Sequence, residues 1–363
     1  MTKLSLIIPV YNEEKSLKDI VERTLKLQDE LKDIELELII VDDCSTDNSY
    51  KIARNLACEN IKVFCHKENK GKGAALKTGF IEASGDFIGI QDADMEYDPM
   101  DYIKLLKPLL EDNADICYGS RYLARDNRRV LYFWHTFMNK CLTYLTNMYT
   151  NLDITDMETC YKLFKKDVIK KLAPRLRENR FGFEPEITIY AAQEHYRFYE
   201  CAIHYNPRSY DEGKKIGAKD GLRAIYCILH YGANKAALPM QFLLYLIIGG
   251  LSALVNIIAF LVCIKLNTAL LSSVWIAFII SAMANYFLCI ALLFKHKARF
   301  NTIGEIIAYF ITLAVMGSID YYFTFVLLAL NFNHFWAKAL SSLVGVIGNF
   351  LFRKYFVFGR IKG

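Results

Sequence analysis

Acidic residues are almost missing from the last third of the chain. Of 39 Asp and Glu, only Glu305 and Asp320 fall between 239 and 363, where nine of the 44 Lys and Arg lie. The 238 residues before it carry 35 basic and 37 acidic residues and read as a soluble globular part. The formal net charge of +5 thus comes from the rear. Basic residues flanking apolar runs are a signature of membrane topology and make no case for a nucleic acid partner. Among ten Cys there is no Cys-x-x-Cys pair and no Cys/His spacing suited to zinc. That excludes a zinc finger or ribbon and leaves the thiols as small apolar side chains. A secretory leader is missing too. Met1–Pro9 is too short an apolar stretch and reads as a strand that begins almost at once, so the front part is expected to stay in the cytoplasm.

What is present in the rear is four apolar runs, roughly 241–264, 270–294, 305–328 and 336–358. Each is near the ~20 residues a helix needs to cross a bilayer. With a cytoplasmic front part, Lys295, Lys297 and Arg299 sit in an inner loop, and Arg353, Lys354, Arg360 and Lys362 at an inner C-terminal end. An even number of spans with this asymmetry obeys the positive-inside rule and puts both termini in the cytoplasm. A weak repeat links Ala284-Asn285-Tyr286-Phe287 to Gly348-Asn349-Phe350-Leu351. Asp320 and Lys338 fall inside the expected membrane zone, where a charge without a partner is costly.

The front part alternates between two periodicities. Strands are expected at Leu4–Val10, Leu36–Val41, Ile61–Cys65, Phe87–Gln91 and Asp115–Tyr118. Helices are expected at Ser16–Leu31, Ser49–Ala57, Gly73–Ala83 and Pro99–Leu110. Such alternation gives an α/β fold with a mostly parallel sheet, whose ligands bind beyond the carboxyl ends of the strands.

The polar clusters fall at those ends. Tyr11-Asn12-Glu13-Glu14 follows the first strand and Asp42-Asp43-Cys44-Ser45-Thr46-Asp47 the second. Such carboxylates can accept from ribose hydroxyls or a base N–H, although Asp and Ser also simply cap helices. Gly71-Lys72-Gly73 leads into a helix, where its amides and Lys72 can meet a phosphate or form a plain turn. The fourth strand ends in Gln91-Asp92-Ala93-Asp94-Met95-Glu96. An extended chain would put Asp92, Asp94 and Glu96 on one side. Crowded carboxylates repel unless something positive sits among them. A hard divalent ion, Mg2+ or Mn2+, suits such oxygen ligands and would hold a leaving diphosphate.

Pro9-Val10-Tyr11-Asn12-Glu13, Asp42-Asp43 with Ser45 and Asp47, Gly85-Asp86 and Asp92-Ala93-Asp94 together resemble family 2 glycosyltransferases of the GT-A fold. The nearest branch is that of dolichol-phosphate mannose synthase and the polyprenyl-phosphate glucosyltransferases. The likeness covers roughly residues 3–230, and the rear resembles the GtrA-like four-helix membrane module. The resemblance implies that Pro9, Tyr11, Glu13, Val41 and Asp43 hold the nucleoside, with Lys72 and Ala93 beside the nucleotide sugar. It assigns Asp92, Asp94 and Glu96 to the metal and diphosphate; the family more usually carries Gln where Glu96 stands. Gly119-Ser120-Arg121 matches the family's Gly-Ser-Arg, and Arg208 and Lys214 match a basic loop that closes over phosphates. A second phosphate-binding Arg of the branch falls at His135, with Asn139 a turn later and Arg128 or Arg129 as substitutes. Asp156 and Glu158 lie near the family's sugar-binding or base residues.

The expected layout is a GT-A domain over 1–219, an interfacial helix and linker over 220–239, and four membrane helices over 240–363. Val130–Met148 and Gly221–Leu238 mix apolar and polar residues as helices lying flat at a bilayer do. The expected reaction is an inverting transfer of one hexose from a GDP- or UDP-sugar to polyprenyl phosphate. Asp94, Arg121, Asp156, Arg208 and Lys214 form the catalytic set. The chain lacks the Gln-x-x-Arg-Trp signature of processive synthases, which fits a one-sugar transfer. Two other readings stay open: a transporter of a lipid-linked sugar with a degenerate enzyme domain, and a transferase acting on a lipid or glycan hydroxyl. The latter needs a general base at Asp156 or Glu158. Whether copies associate as a homo-oligomer stays open as well.

Overall fold

The computed structural model describes residues 2–123, 129–207, 218–294 and 302–358. The expected site residues Arg128, Arg208 and Lys214 lie outside the described residues, as do the side chains of Asp320 and Lys338. The chain divides into two compact units, Met1–Gly232 and Ala233–Gly363.

The first unit is built on a seven-stranded sheet: β1 (Thr2–Val10), β2 (Ile34–Asp42), β3 (Ile61–Cys65), β4 (Phe87–Ile90), β5 (Ile116–Ser120), β6 (Lys162–Lys165) and β7 (Phe198–Ala202). Their order in space is β3-β2-β1-β4-β6-β5-β7. β1 pairs in parallel with β2 along its whole length and with β4 on its other side. A strand flanked on both edges and covered on both faces is mostly apolar, and Leu4, Leu6, Ile7 and Ile8 are fully buried; the one polar residue among them, Ser5, donates to Glu37 of β2. Each such side chain contributes roughly 1.5–3 kcal/mol of burial free energy.

The chain leaves β1 in one direction to form β2 and β3, and returns on the other side as β4. The carboxyl ends of β1 and β4 therefore flank a topological switch point, where open α/β sheets form a crevice. All five expected strands are present. β6 and β7 were not expected, and β6 runs antiparallel to both β4 and β5. Its four residues, Lys162-Leu163-Phe164-Lys165, are too few to show a period.

In the second unit, helices Leu238–Lys265, Leu270–Leu288, Thr302–Ala329 and His334–Phe352 follow one another. Among the described residues three segments are long and apolar enough to cross a membrane: Leu238–Lys265, Leu271–Phe294 and Ile307–Ala329. The fourth helix is 19 residues long and continues into a π-helical turn, Arg353–Val357. The second helix also ends in π-helix, Cys289–Phe294. The weak repeat is therefore structural, and Phe294 and Phe358 at its two ends stack with centroids 4.9 Å apart.

Candidate functional site

A cavity of about 550 Å³ opens at the switch point. It gathers residues from the ends of β1, β2 and β4, from the start of helix Lys72–Glu82, and from segments 121–122, 131–139, 158–160, 180–184 and 205–207. The three strand-end turns share one backbone device. Asn12, Cys44 and Met95 have φ of 55°, 62° and 62°, so each chain turns sharply just past the sheet. Non-glycine residues held there store conformational energy and concentrate at functional sites. Thr46 N–H donates to Asn12 Oδ1 (2.8 Å) and Glu13 N–H to Ser49 Oγ (2.8 Å), which ties the first two turns together.

Twelve of the expected residues line this cavity: Pro9, Tyr11, Glu13, Asp43, Lys72, Asp92, Ala93, Asp94, Glu96, Arg121, His135 and Asn139. Val41 does not. It is fully buried in β2, opposite Pro9, so its part is to support the cavity floor. Arg129 is turned to the carbonyl oxygen of Pro207, to which its Nη1 donates at 3.3 Å.

Asp43 works inward as well as facing the cavity. Its carboxylate accepts from the backbone N–H of Lys70 (3.0 Å) and Gly71 (2.6 Å), and meets His66 Nδ1 at 2.7 Å. It thereby fixes the loop that delivers Lys72. Gly71 has φ of 98°, and a Cβ there would collide with the backbone oxygen of Asn179. The two glycines of Gly71-Lys72-Gly73 thus serve a left-handed turn and a close backbone approach, and a phosphate cradle is not needed to explain them.

Lys72 Nζ lies 2.9 Å from Asp92 Oδ1 and 3.4 Å from Glu184 Oε1. Burial works against its charge, but Asp92 and Glu184 outweigh burial and hold the amine well above its ordinary value. The positive charge expected among the acids is thus, in the protein itself, the Lys72 ammonium.

Asp92, Asp94 and Glu96 do not alternate along an extended strand. β4 ends at Ile90, and the segment after it is a turn with Met95 left-handed. Asp94 Oδ1 accepts from Glu96 N–H (3.1 Å), and Glu96 Oε2 accepts from the Tyr205 hydroxyl (2.9 Å). Among the described residues no three His, Cys, Asp or Glu side chains gather as a group that could hold a metal ion. The oxygen-only character of Asp92 and Asp94 nevertheless fits a hard cation, which commonly takes one or two carboxylates and completes its shell with phosphate oxygens.

Arg121 is fixed from behind. Its Nε and Nη2 donate to the two carboxylate oxygens of Asp156, each at 2.7 Å, and its own backbone N–H donates to Asp156 Oδ2 at 3.0 Å. Its guanidinium also lies over the ring of Tyr205 at 5.1 Å. Asp156 is fully buried and does not line the cavity; both its carboxylate oxygens are taken up by Arg121.

Two carboxyls on the cavity wall carry a buried oxygen with no hydrogen-bond partner, Glu158 Oε1 and Glu184 Oε2. Such groups are rare and ask for an explanation. Burial, joined by the nearby Glu184 carboxylate, raises Glu158 to about 8. The folded protein therefore holds this proton more tightly than the unfolded chain, and stability falls as pH rises from the usual carboxylate value near 4.5 toward 8. Glu158→Gln is expected to remove this slope, about 1.4 kcal/mol per pH unit at most, in thermal unfolding followed from pH 5 to 8.5. An unchanged slope would show that Glu158 titrates normally.

Glu184 and Tyr205 were not expected from sequence. Both lie far along the chain from the strand-end motifs, and only the closure of the sheet brings them there.

The rim is apolar. Helix Phe133–Thr150 buries Leu142, Thr143, Thr146 and Tyr149, whereas its first turns expose Phe133, Trp134, Phe137 and Met138. Leu131 and Tyr132 carry this surface into the cavity wall.

The first unit is thus an α/β domain with a polar cavity at its switch point, and it is followed by a unit of long apolar helices. The family described as glycosyl transferase family 2 matches residues 5–173, and the GtrA/DPMS transmembrane domain matches 244–358. The UDP-N-acetylglucosamine–dolichyl-phosphate N-acetylglucosaminyltransferase of Methanococcus voltae is 30% identical over 241 residues, 62% of this chain and 94% of that protein. The dolichol-phosphate mannosyltransferase of Pyrococcus furiosus is 27% identical over 234 residues, covering 63% and 64%. The undecaprenyl-phosphate 4-deoxy-4-formamido-L-arabinose transferase of Proteus mirabilis is 30% identical over 217 residues, covering 59% and 63%. The chain belongs to glycosyl transferase family 2; it is a glycosyltransferase of the GT-A fold and a membrane protein.

Proposed function

We propose that the chain transfers one hexose from a nucleotide sugar, GDP- or UDP-linked, to a polyprenyl phosphate at the cytoplasmic membrane face, with inversion. The observation that carries this reading is the content of one cavity. Asp92 and Asp94 lie in it together with the fixed cation Arg121, and its rim exposes apolar and aromatic side chains suited to a lipid chain.

In this reading the nucleoside lies against Pro9, Tyr11 and Glu13, and Asp92 and Asp94 would hold Mg2+ or Mn2+ against the diphosphate. That ion would supply charge neutralisation on the leaving group. Arg121 orients the acceptor phosphate, with Arg208 and Lys214 assigned to the same task by their motif. Asn139, which donates to the Tyr122 hydroxyl at 3.2 Å, and His135 border the path of the acceptor. A phosphate oxygen attacks the anomeric carbon, a C–O bond forms, the bond to the diphosphate breaks, and the electron pair leaves with the nucleotide. An acceptor phosphate, with its second pKa near ~6, is already an anion at neutral pH and requires no base. That agrees with an Asp156 occupied by Arg121 and a Glu158 that keeps its proton at neutral pH. A hydroxyl acceptor would need one of them free. Four spans with both termini cytoplasmic complete the proposal.

The test is nucleotide release from UDP-glucose, UDP-N-acetylglucosamine, GDP-mannose and UDP-glucuronate, with and without polyprenyl phosphate. One neutral donor is expected to be turned over at least tenfold faster when the lipid phosphate is present. UDP-glucuronate is expected to be poorest, because the Glu184 carboxylate, whose Oε2 has no partner, repels a second carboxylate in the cavity. Lipid-independent release, or release driven only by a glycan hydroxyl, would overturn the reading.

A further inference from the structure

The second unit holds a buried cation that the transfer reaction does not use. Arg353, at the start of the π-helical turn after the fourth helix, is 2% exposed. Its guanidinium is permanently charged. Nη1 donates to Asn285 Oδ1 at 2.6 Å, and the group faces the rings of Tyr309 at 4.3 Å and Tyr245 at 5.7 Å. Its Nε has no hydrogen-bond partner, and among the described residues no carboxylate pairs with it. Ring faces and one amide oxygen only partly offset the cost of burying such a charge.

The surroundings are polar and hollow. A cavity of about 240 Å³ is lined by Arg353, Asn349, Asn285, Asn256, Ser252 and Ser281, among others. Asn285 Nδ2 donates to Ser252 Oγ (3.0 Å) and Asn256 Nδ2 to Ser281 Oγ (3.2 Å). Asn349 Oδ1 is buried without a partner. Asn285 and Asn349 are the matching residues of the internal repeat, so the repeat brings both amides to one cavity. Both members end in π-helix, which in proteins often marks a functional position.

We propose that this cavity binds a phosphate-type anion, with Arg353 as its counter-charge and the Asn and Ser side chains completing its hydrogen bonds. A lipid phosphate headgroup and a soluble phosphate share this chemistry. Charge-assisted bonds to phosphate oxygens would satisfy the free Nε and balance the charge.

The test counts farnesyl phosphate bound to the full chain in neutral detergent by native mass spectrometry. Arg353→Gln is expected to lower the number bound per chain by one, or to weaken that site about 10–100-fold. Asn349→Asp places a carboxylate one turn from Arg353 as an internal counter-ion and is expected to lose the same site. Arg353→Lys is expected to retain it more weakly. Unaltered sugar transfer with excess acceptor reports that the Asn349→Asp chain is folded. Inorganic phosphate that displaces the Arg353-dependent ligand supports a soluble anion as occupant; resistance to displacement supports a lipid headgroup. Equal binding in wild type, Arg353→Gln and Asn349→Asp overturns the proposal. The readout is a difference at Arg353, so it stands apart from whether the first unit uses polyprenyl phosphate.

Discussion

Asp94→Ala is expected to lower kcat/KM for sugar transfer to polyprenyl phosphate by about 10²–10³-fold, while the thermal midpoint moves by no more than a few degrees. The two effects separate because of where Asp94 sits. Within its turn it accepts a hydrogen bond from Glu96 N–H at 3.1 Å, and it is only partly buried. A partly exposed hydrogen bond of this kind contributes about 1 kcal/mol net. For a leaving diphosphate, by contrast, a lost anchor of charge stabilisation is felt in full at the transition state, where one electrostatic group is typically responsible for 10²–10³-fold. Asp92 is the less clean choice for the experiment. It is paired with Lys72, so its removal also leaves a partly buried ammonium with Glu184 alone. Asp94→Asn keeps the turn and removes only the charge, and it is expected to be as inactive as the Ala variant. Near-normal turnover in either variant would sink the assignment of Asp94 to the diphosphate.

The sheet was largely legible in the sequence because its centre has no solvent face. Leu4–Val10 and Leu36–Val41 are apolar except for Ser5 and Glu37, which are buried and hydrogen-bonded to each other, as polar groups in strands covered on both sides must be. The polar clusters that follow those runs stand at strand ends, and twelve expected residues do meet in one cavity.

The failures have physical causes. Period-two reasoning was carried past the end of β4, where the chain has left the sheet and turns at Met95. Asp156 and Arg121 are 35 residues apart, and no local pattern distinguishes a carboxylate facing substrate from one locked behind a guanidinium. Glu184 stands in the first turn of helix Phe183–Gln193, where acids commonly stand for helix-dipole reasons, so its reach to Lys72 is hidden behind a simpler explanation. The repeat of Asn285 and Asn349 was visible, but its convergence on Arg353 required the helices to be packed.

Asp156→Ala is the second large effect, and it is expected to differ in kind from Asp94→Ala. The Arg121–Asp156 pair is buried and bidentate, and removing one partner leaves a guanidinium without its counter-charge. Breaking a pair of this type costs about 3–5 kcal/mol, which for a unit of this size lowers the thermal midpoint by roughly 6–20 °C. Among the folded molecules, Arg121 loses its fixed orientation. The KM for polyprenyl phosphate is expected to rise at least tenfold while the KM for the nucleotide sugar changes little. The pH profile is the decisive readout. If Asp156 acted as a general base, its loss would remove the acidic limb of the rate profile at unchanged stability. As a positioning residue, its loss leaves the shape of the profile intact and shifts stability instead. Asp156→Asn preserves the volume and one acceptor for Arg121, so it should recover part of the acceptor KM, a rescue that a missing base would not permit.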